Sequence, residues 1–452
     1  MAATESVMRL GCKWMGAAGL VLAGAMLGAA PAAAQVEVDV VGGISEPMPI
    51  VVPAMPTQAV QQTPAGSTDV LGRQLAEIVA NDLRNSGLFK PRGPDQARAI
   101  GFDQVTAPDF PYWGGTGAQA LIQGFVRANG DGTLTVGCYL YDVFAKTELT
   151  RQGFVVPPSD WRRAAHKCAD TVYTRLSGEG PYFDSRIVYV SETGPKARRL
   201  KRLAIMDQDG ANHRFLTNGQ SIVLTPRFAP NQQSIVYMSY VNDRPAIYVY
   251  DIGSGRQRQL VSGVNLTFAP RVSPDGRWVL FSMAVSGNTD VYRVAMDGGT
   301  PQNLTRSPGI DTGGSYSPDG SRIVFESDRS GTQQLYVMNA DGSNQQRISF
   351  GGGRYATPVW SPRGDLIAFT KIAGAFRIGI MSPSGGGEKL LTEAWGDEGP
   401  SWSPNGRVLT FFRAGQGAAK ADLWSVDLTG INERRIPTPL DGSDPSWGPL
   451  RP

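Results

Sequence analysis

The sequence predicts an α/β N-terminal domain followed by an all-β six-bladed β-propeller, and three observations carry that prediction. Helical periodicity occurs only before residue 177, and a proline-centred motif then returns at Pro230, Pro274, Pro318, Pro362, Pro404 and Pro449. The intervals are 44, 44, 44, 42 and 45 residues, a period that implies radial or stacked units. Each unit carries four strand signals, the measure of a propeller blade. Glycine (55) and proline (32) are abundant and charged residues scarce at 18%, which suits short strands joined by tight turns.

The first 34 residues read as a secretory signal peptide: Arg9 and Lys13 lead, an apolar run follows, and "PAAAQ" offers an Ala-x-Ala cleavage site before Gln35. The run is short for a span and has no charged stop-transfer flank, so no membrane span is expected. Cys12 precedes the run and is no lipid-attachment site. The mature chain keeps a formal charge of +2, against +3 for the whole, with no electrostatic footprint for nucleic acid.

Residues 35–176 read as the α/β domain. "MPIVVPAM" is a buried strand. "STDVLGRQLAEIVANDLRNSGLF" opens on a Ser/Thr/Asp cap, places Val70, Leu71, Leu75, Ile78, Val79 and Leu83 on one stripe and stops at Gly87. "ALIQGFVRA" and "LTVGCYLYDVF" flank "NGDG" as a hairpin, and a helix with Trp161, Ala165, Cys168, Val172 and Leu176 on one face closes the unit. Cys138 and Cys168 either face one another and bond or are two small buried residues; their sequence positions leave both open. Residues 177–184, "SGEGPYFD", read as a linker.

Residues 185–452 are the repeat region. In "GSYSPDGSRIVFESDRSGTQQLYVMNADGSNQQRIS" the four strands are "GGSYS", "RIVFES", "QLYVMN" and "QQRIS". The first unit, from Arg186, lacks an opening strand, and "PSWGP" at 445–449 is an orphan one. Together they make one split blade, so the sheet closes with no free edge. Ser317, Pro318, Asp319 and Gly320 suit a type I turn between first and second strands, as do Ser273 to Gly276. These turns share a face with the third-to-fourth turns, which leaves the variable inter-blade loops on the opposite face, where binding is expected.

Few residues offer catalysis. No Gly-x-Ser-x-Gly occurs, and the two histidines, His166 and His213, are expected to be structural. No His or Cys pair stands at zinc spacing. "DQDG" at Asp207 reads as a turn. Asp311, Asp397, Glu398, Asp441 and Asp444 are acidic residues of the variable face that would be solvated or line a weak cation site. "GTGAQA" fits a dinucleotide fingerprint without its βαβ setting and reads as a turn. No catalytic residue, metal or cofactor is expected; the alternative is an exported propeller enzyme or peptidase accessory.

"PIVVP", "IVANDLRNSGLF", the stretch "SDWRRAAHKCADTVYTRLSGEGPYFDSRIVYV" and the repeated S-P-D-G units together closely resemble the TolB family, periplasmic components of the Tol-Pal system. The resemblance implies a non-enzymatic, monomeric protein-binding hub in the periplasm. It implies binding of the lipoprotein Pal over the channel mouth and of the C-terminal domain of TolA through the mature N-terminus. Those contacts would serve outer-membrane constriction at cell division and envelope integrity. The TolA segment would be residues 35–46, led by Gln35, Val36, Glu37, Val38, Asp39, Val40 and Val41; its other reading is an ordinary edge strand. Leu266 stands where family members carry a Pal-contacting histidine, and Thr312 matches a contacting threonine. Loop geometry adds Thr267, Phe268, Asp311, Arg354, Tyr355 and Thr357, with Phe268 and Tyr355 as aromatic anchors. Phe268 could equally plug two blades together.

Overall fold

The computed structural model describes residues 46–195, 198–261, 265–416 and 420–452. The signal peptide and Gln35 to Val41 lie outside the described residues.

Strands Met48–Val51, Phe89–Arg92, Ala120–Ala128, Leu134–Asp142 and Thr147–Val156 form one sheet, with Met48–Val51 between Phe89–Arg92 and Ala120–Ala128. Those three strands run parallel, and the rest are antiparallel. Side-chain alternation divides the sheet into two faces: Ile50, Ile122 and Leu140 meet helices α1 (Thr68–Asn85) and α3 (Trp161–Ser177). Val51, Leu121 and Tyr141 meet Trp113 of helix α2 (Phe110–Gly115). The apolar stripe of α1 is buried except for Val70, which is exposed; the expectation placed it on the core face, but it lies on the solvent side of the first turn. Gly72 is where α1 touches the chain after the first strand. A Cβ there would sit 1.9 Å from the Met55 carbonyl oxygen. Cys138 and Cys168 are joined, Cα–Cα 5.7 Å, tying α3 to the sheet.

The expected linker is not an exposed tether. Tyr182, Phe183 and Asp184 are buried, because the Asp170 carboxylate accepts the backbone N–H groups of all three at 2.7, 2.8 and 3.0 Å. Tyr182 packs edge-on to Trp447 of the last strand, with ring centroids 5.9 Å apart. One hydrophobic cluster therefore runs from the α/β sheet into the first blade, and the described residues form one compact unit.

A polar bridge crosses the same seam. His166 Nδ1 on α3 shares a 2.6 Å hydrogen bond with Asp82 Oδ2 on α1, and Gln208 Nε2, from a blade turn, donates to Asp82 Oδ1 at 2.8 Å. Asp209, in that same turn, pairs with Arg162. Burial opposes charge on the imidazole, but the charge of Asp82, its hydrogen bond and the charges of Asp209 and Asp207 outweigh it and push His166 up to about 9.

Six four-stranded sheets follow. Five open on an inner strand: Val223–Phe228, Thr267–Val272, Asp311–Tyr316, Arg354–Trp360 and Asp397–Trp402. The sixth takes its inner strand, Asp441–Leu450, from beyond all the others in sequence and pairs it with Ser185–Thr193. The S-P-D-G motif closes its hairpin as expected: Gly320 N donates to Ser317 O at 2.8 Å, Arg322 N to Ser317 Oγ at 3.0 Å, and Gly320 takes φ +71°. The Ser317 hydroxyl first, then the Ser321 backbone and hydroxyl, hold the Asp319 carboxyl down at about 2. "GTGAQA" is a turn at the end of α2, with Gly117 at φ +77°.

Candidate functional site

Each inner strand breaks its pairing register at one shared place, between Leu224 and Arg227 in the first case and between Ser443 and Ser446 in the last, which breaks a second time between Trp447 and Leu450. The residue five before the motif proline sits in the break with a positive φ. These are Thr225 (47°), Ala269 (52°), Gly313 (70°), Thr357 (49°), Gly399 (67°) and Asp444 (50°). Such bulges bend a strand and re-aim its side chains. All six line one cavity of 240 Å³ at the inter-blade-loop end of the central channel. Only two of the six are glycine, so four carry a side chain in a region that costs an L-residue roughly 1–2 kcal/mol. For the β-branched Thr225 and Thr357 the conformation is an outlier, of the kind that collects at functional sites.

Glu326 reaches into this cavity from the second strand of its blade. Thr312 Oγ1 donates to one carboxylate oxygen, and Thr357 N donates to the other at 2.8 Å. Burial still dominates and raises the carboxyl. Glu398 is raised by burial first and by the charge of Asp444 second. Arg227, Arg271 and Phe412 complete the lining with Phe268.

The expected contact residues separate into three places. Phe268, Thr312 and Thr357 line the cavity; Phe268 also packs between two blades, as its second reading expects. Leu266 and Arg354 are exposed at the rim. Thr267, Asp311 and Tyr355 are buried, which removes them from a docking surface as the structure stands. Asp311 pairs with Arg329 at 2.6 Å. Tyr355 donates from its hydroxyl to Glu388 Oε2 at 2.6 Å, accepts from Lys371 Nζ at 2.9 Å and packs on Phe369, so it is a wedge between strands and not an aromatic anchor. Asp397 and Asp441 are likewise taken up, by Arg413 and Arg199 at 2.6 and 2.7 Å, which leaves Glu398 and Asp444 of the expected acidic set at the mouth.

The rim carries apolar groups of which the sequence reading had named only Leu266. Ile222 (47% exposed), Leu266 (41%) and Ile310 (53%) each stand just before an inner strand, eight residues ahead of the motif proline, and Trp395 (43%) joins them before the Asp397–Trp402 strand. That constant spacing was the available signal. Exposed apolar groups gathered around a concave mouth mark an interaction site.

Among the described residues, Asp82, His166 and Asp209 are the one set of His, Cys, Asp or Glu side chains placed closely enough to share a metal. Asp82 and His166 are already bonded to each other and Asp209 to Arg162. No described helix is long and apolar enough to cross a membrane.

A closed ring of six blades joined to a small α/β sheet defines a six-bladed β-propeller protein with an N-terminal α/β domain. Two family descriptions match the chain, the TolB amino-terminal domain over residues 36–149 and the TolB β-propeller domain over residues 173–451. The Tol-Pal system protein TolB of Rhizorhabdus wittichii is 77% identical over 424 residues, 94% of this chain and 97% of that protein. The Tol-Pal system protein TolB of Zymomonas mobilis is 75% identical over 415 residues, 92% and 91% of the two chains. The crystal structure of TolB from Acinetobacter baumannii superposes with a TM-score of 0.78 at 26% identity, covering 92% of this chain and all of that one. The chain belongs to the TolB family and is a component of the Tol-Pal system.

Proposed function

We propose that the chain is a non-enzymatic periplasmic adaptor that docks Pal over the bulged channel mouth and engages the C-terminal domain of TolA through residues 35–46. In this reading the signal peptide, residues 1–34, exports a monomer. Its α/β part (35–176), junction (177–184) and propeller (185–452) hold the two partner sites in one body. The contacts serve outer-membrane constriction at division and envelope integrity. The observation that carries the reading is the rim: Ile222, Leu266, Ile310 and Trp395 expose apolar surface around a cavity lined by six bulges, four of them held in a strained backbone conformation. Leu266, where relatives of the family place a histidine, then contributes apolar contact, while Thr312 orients Glu326 behind it.

The test is binding of purified mature protein to the soluble domain of Pal, followed by calorimetry. Ile310→Asp places a charge in the docking surface and should weaken binding at least tenfold, a central contact being worth ~2 kcal/mol. Tyr355→Phe, in the buried wedge, should leave affinity within about twofold. Wild-type affinity in Ile310→Asp would remove the rim from the interface.

A further inference from the structure

Below the mouth the channel widens into a second cavity of 360 Å³, bounded at the tight-turn end by five of the six motif prolines, Pro274, Pro318, Pro362, Pro404 and Pro449. The residue three before each proline forms one level of its wall. In blade order these are Arg227, Arg271, Ser315, Val359, Ser401 and Ser446. Each of the three serine oxygens accepts a backbone N–H from an adjoining inner strand: Ser315 from Trp360 at 3.2 Å, Ser401 from Trp447 at 2.9 Å, Ser446 from Phe228 at 3.2 Å. With the oxygen so used, each hydroxyl proton is left without an acceptor among the described residues.

The two arginines are equally underused. Arg227 donates only to the Pro226 carbonyl, at 2.7 Å, and neither arginine forms an ion pair among the described residues. Burial lowers both, and the Arg227 charge adds to the effect on Arg271. The cavity has no carboxylate in its lining. Glu326, Glu398 and Asp444 line the mouth cavity, which both arginines also border. Glu326 is occupied by Thr312 and Thr357, and the Asp444 charge favours Arg227 without closing to a pair. Two always-charged guanidiniums and three free hydroxyl donors thus line one level of a 360 Å³ cavity, a donor set complementary to an oxyanion.

We propose that this ring is an oxyanion site in the propeller channel, taking a small tetrahedral anion such as phosphate or sulfate. The anion relieves the mutual repulsion of the arginines and supplies the acceptors that the hydroxyls lack. The site lies below the mouth cavity, with which it shares the two arginines, and it stands whether or not the rim binds Pal.

Purified mature protein in anion-exchanged buffer is titrated with inorganic phosphate, sulfate or acetate by calorimetry, with sodium chloride at matched ionic strength as the reference. The expected result is saturable 1:1 binding of phosphate or sulfate, weakened at least tenfold in Arg271→Gln. Arg435→Gln, which alters an exposed pair with Asp422, should bind as wild type. Acetate binding as tightly as phosphate supports the oxyanion site and identifies a carboxylate as its source. Should Arg271→Gln lose its folded circular dichroism, Ser315→Ala serves in its place, with at least a threefold loss expected. Absence of saturable binding by all three anions, or equal affinity in the ring variant and wild type, overturns the proposal.

Discussion

Replacing Asp82 with asparagine removes one charge from the buried bridge between the α/β part and the first blade while keeping its shape. In the folded chain His166 is pushed up to about 9, against an ordinary 6.5, chiefly through Asp82 once burial is overcome. Between these values the folded state holds the proton that the unfolded chain releases. The contribution is complete below pH 6.5 and is lost as pH rises through 9, with an integrated size of ~3 kcal/mol. The substituted amide can still accept from Gln208, but it leaves His166 without its buried counter-charge, and breaking such a pair costs roughly 3 kcal/mol or more. Urea unfolding from pH 6 to 9 should show wild type losing stability along this range. Asp82→Asn should be weaker by about 3 kcal/mol at pH 6, with most of the slope gone and the gap closing toward pH 9. Parallel curves for the two proteins, or a gap at pH 6 under about 1 kcal/mol, would refute the charged bridge.

Three further outcomes are expected. Cys138→Ser with Cys168→Ser should cost ~3.6 kcal/mol by the loop-closure relation for a separation of 30 residues, read as a loss in denaturant midpoint; an unchanged midpoint would leave the staple without energetic role. Gly72→Ala should destabilise by roughly 1–3 kcal/mol through collision with the Met55 carbonyl, although helix propensity alone forecasts a gain of about 1 kcal/mol, so the sign of the change decides. Gly313→Ala, at φ +70°, should cost ~1–2 kcal/mol and lower the thermal midpoint; no change would mean that the bulge carries no backbone strain.

The blades were legible because every hairpin needs the same turn, and a proline with preset φ cannot drift from its place. The split blade followed from counting strands. What stayed hidden depends on pairing across distance. Tyr355 reads as an exposed aromatic in a loop, yet its burial is decided by Lys371 on the second strand of its blade and Glu388 just before the fourth. Asp311, Asp397 and Asp441 read as free acids until the arginines facing them are known. His166 meets Asp82 across 84 residues of sequence, and no local pattern announces that. The bulge ring lies between these cases. Its spacing from the proline is constant, but with threonine, alanine and aspartate in four of six places, composition conceals a conformation usually signalled by glycine. Arg227 and Arg271 share one register in the repeat, but only the packed ring shows that no carboxylate closes on them.

The strand Asp441–Leu450 gives the ring a direction in time. Trp447 Nε1 donates to Ser185 Oγ at 2.8 Å, and Arg451 Nε reaches Asp184 at 2.9 Å, so the sequence's latest strand is received by its earliest propeller residues. Until residue 450 has emerged, the Ser185–Thr193 strand has no inner neighbour and offers its edge to any passing chain. Five blades can assemble as synthesis proceeds, but circularity arrives in a single terminal event. A chain lacking residues 441–450 would be left as an open arc with that edge unpaired.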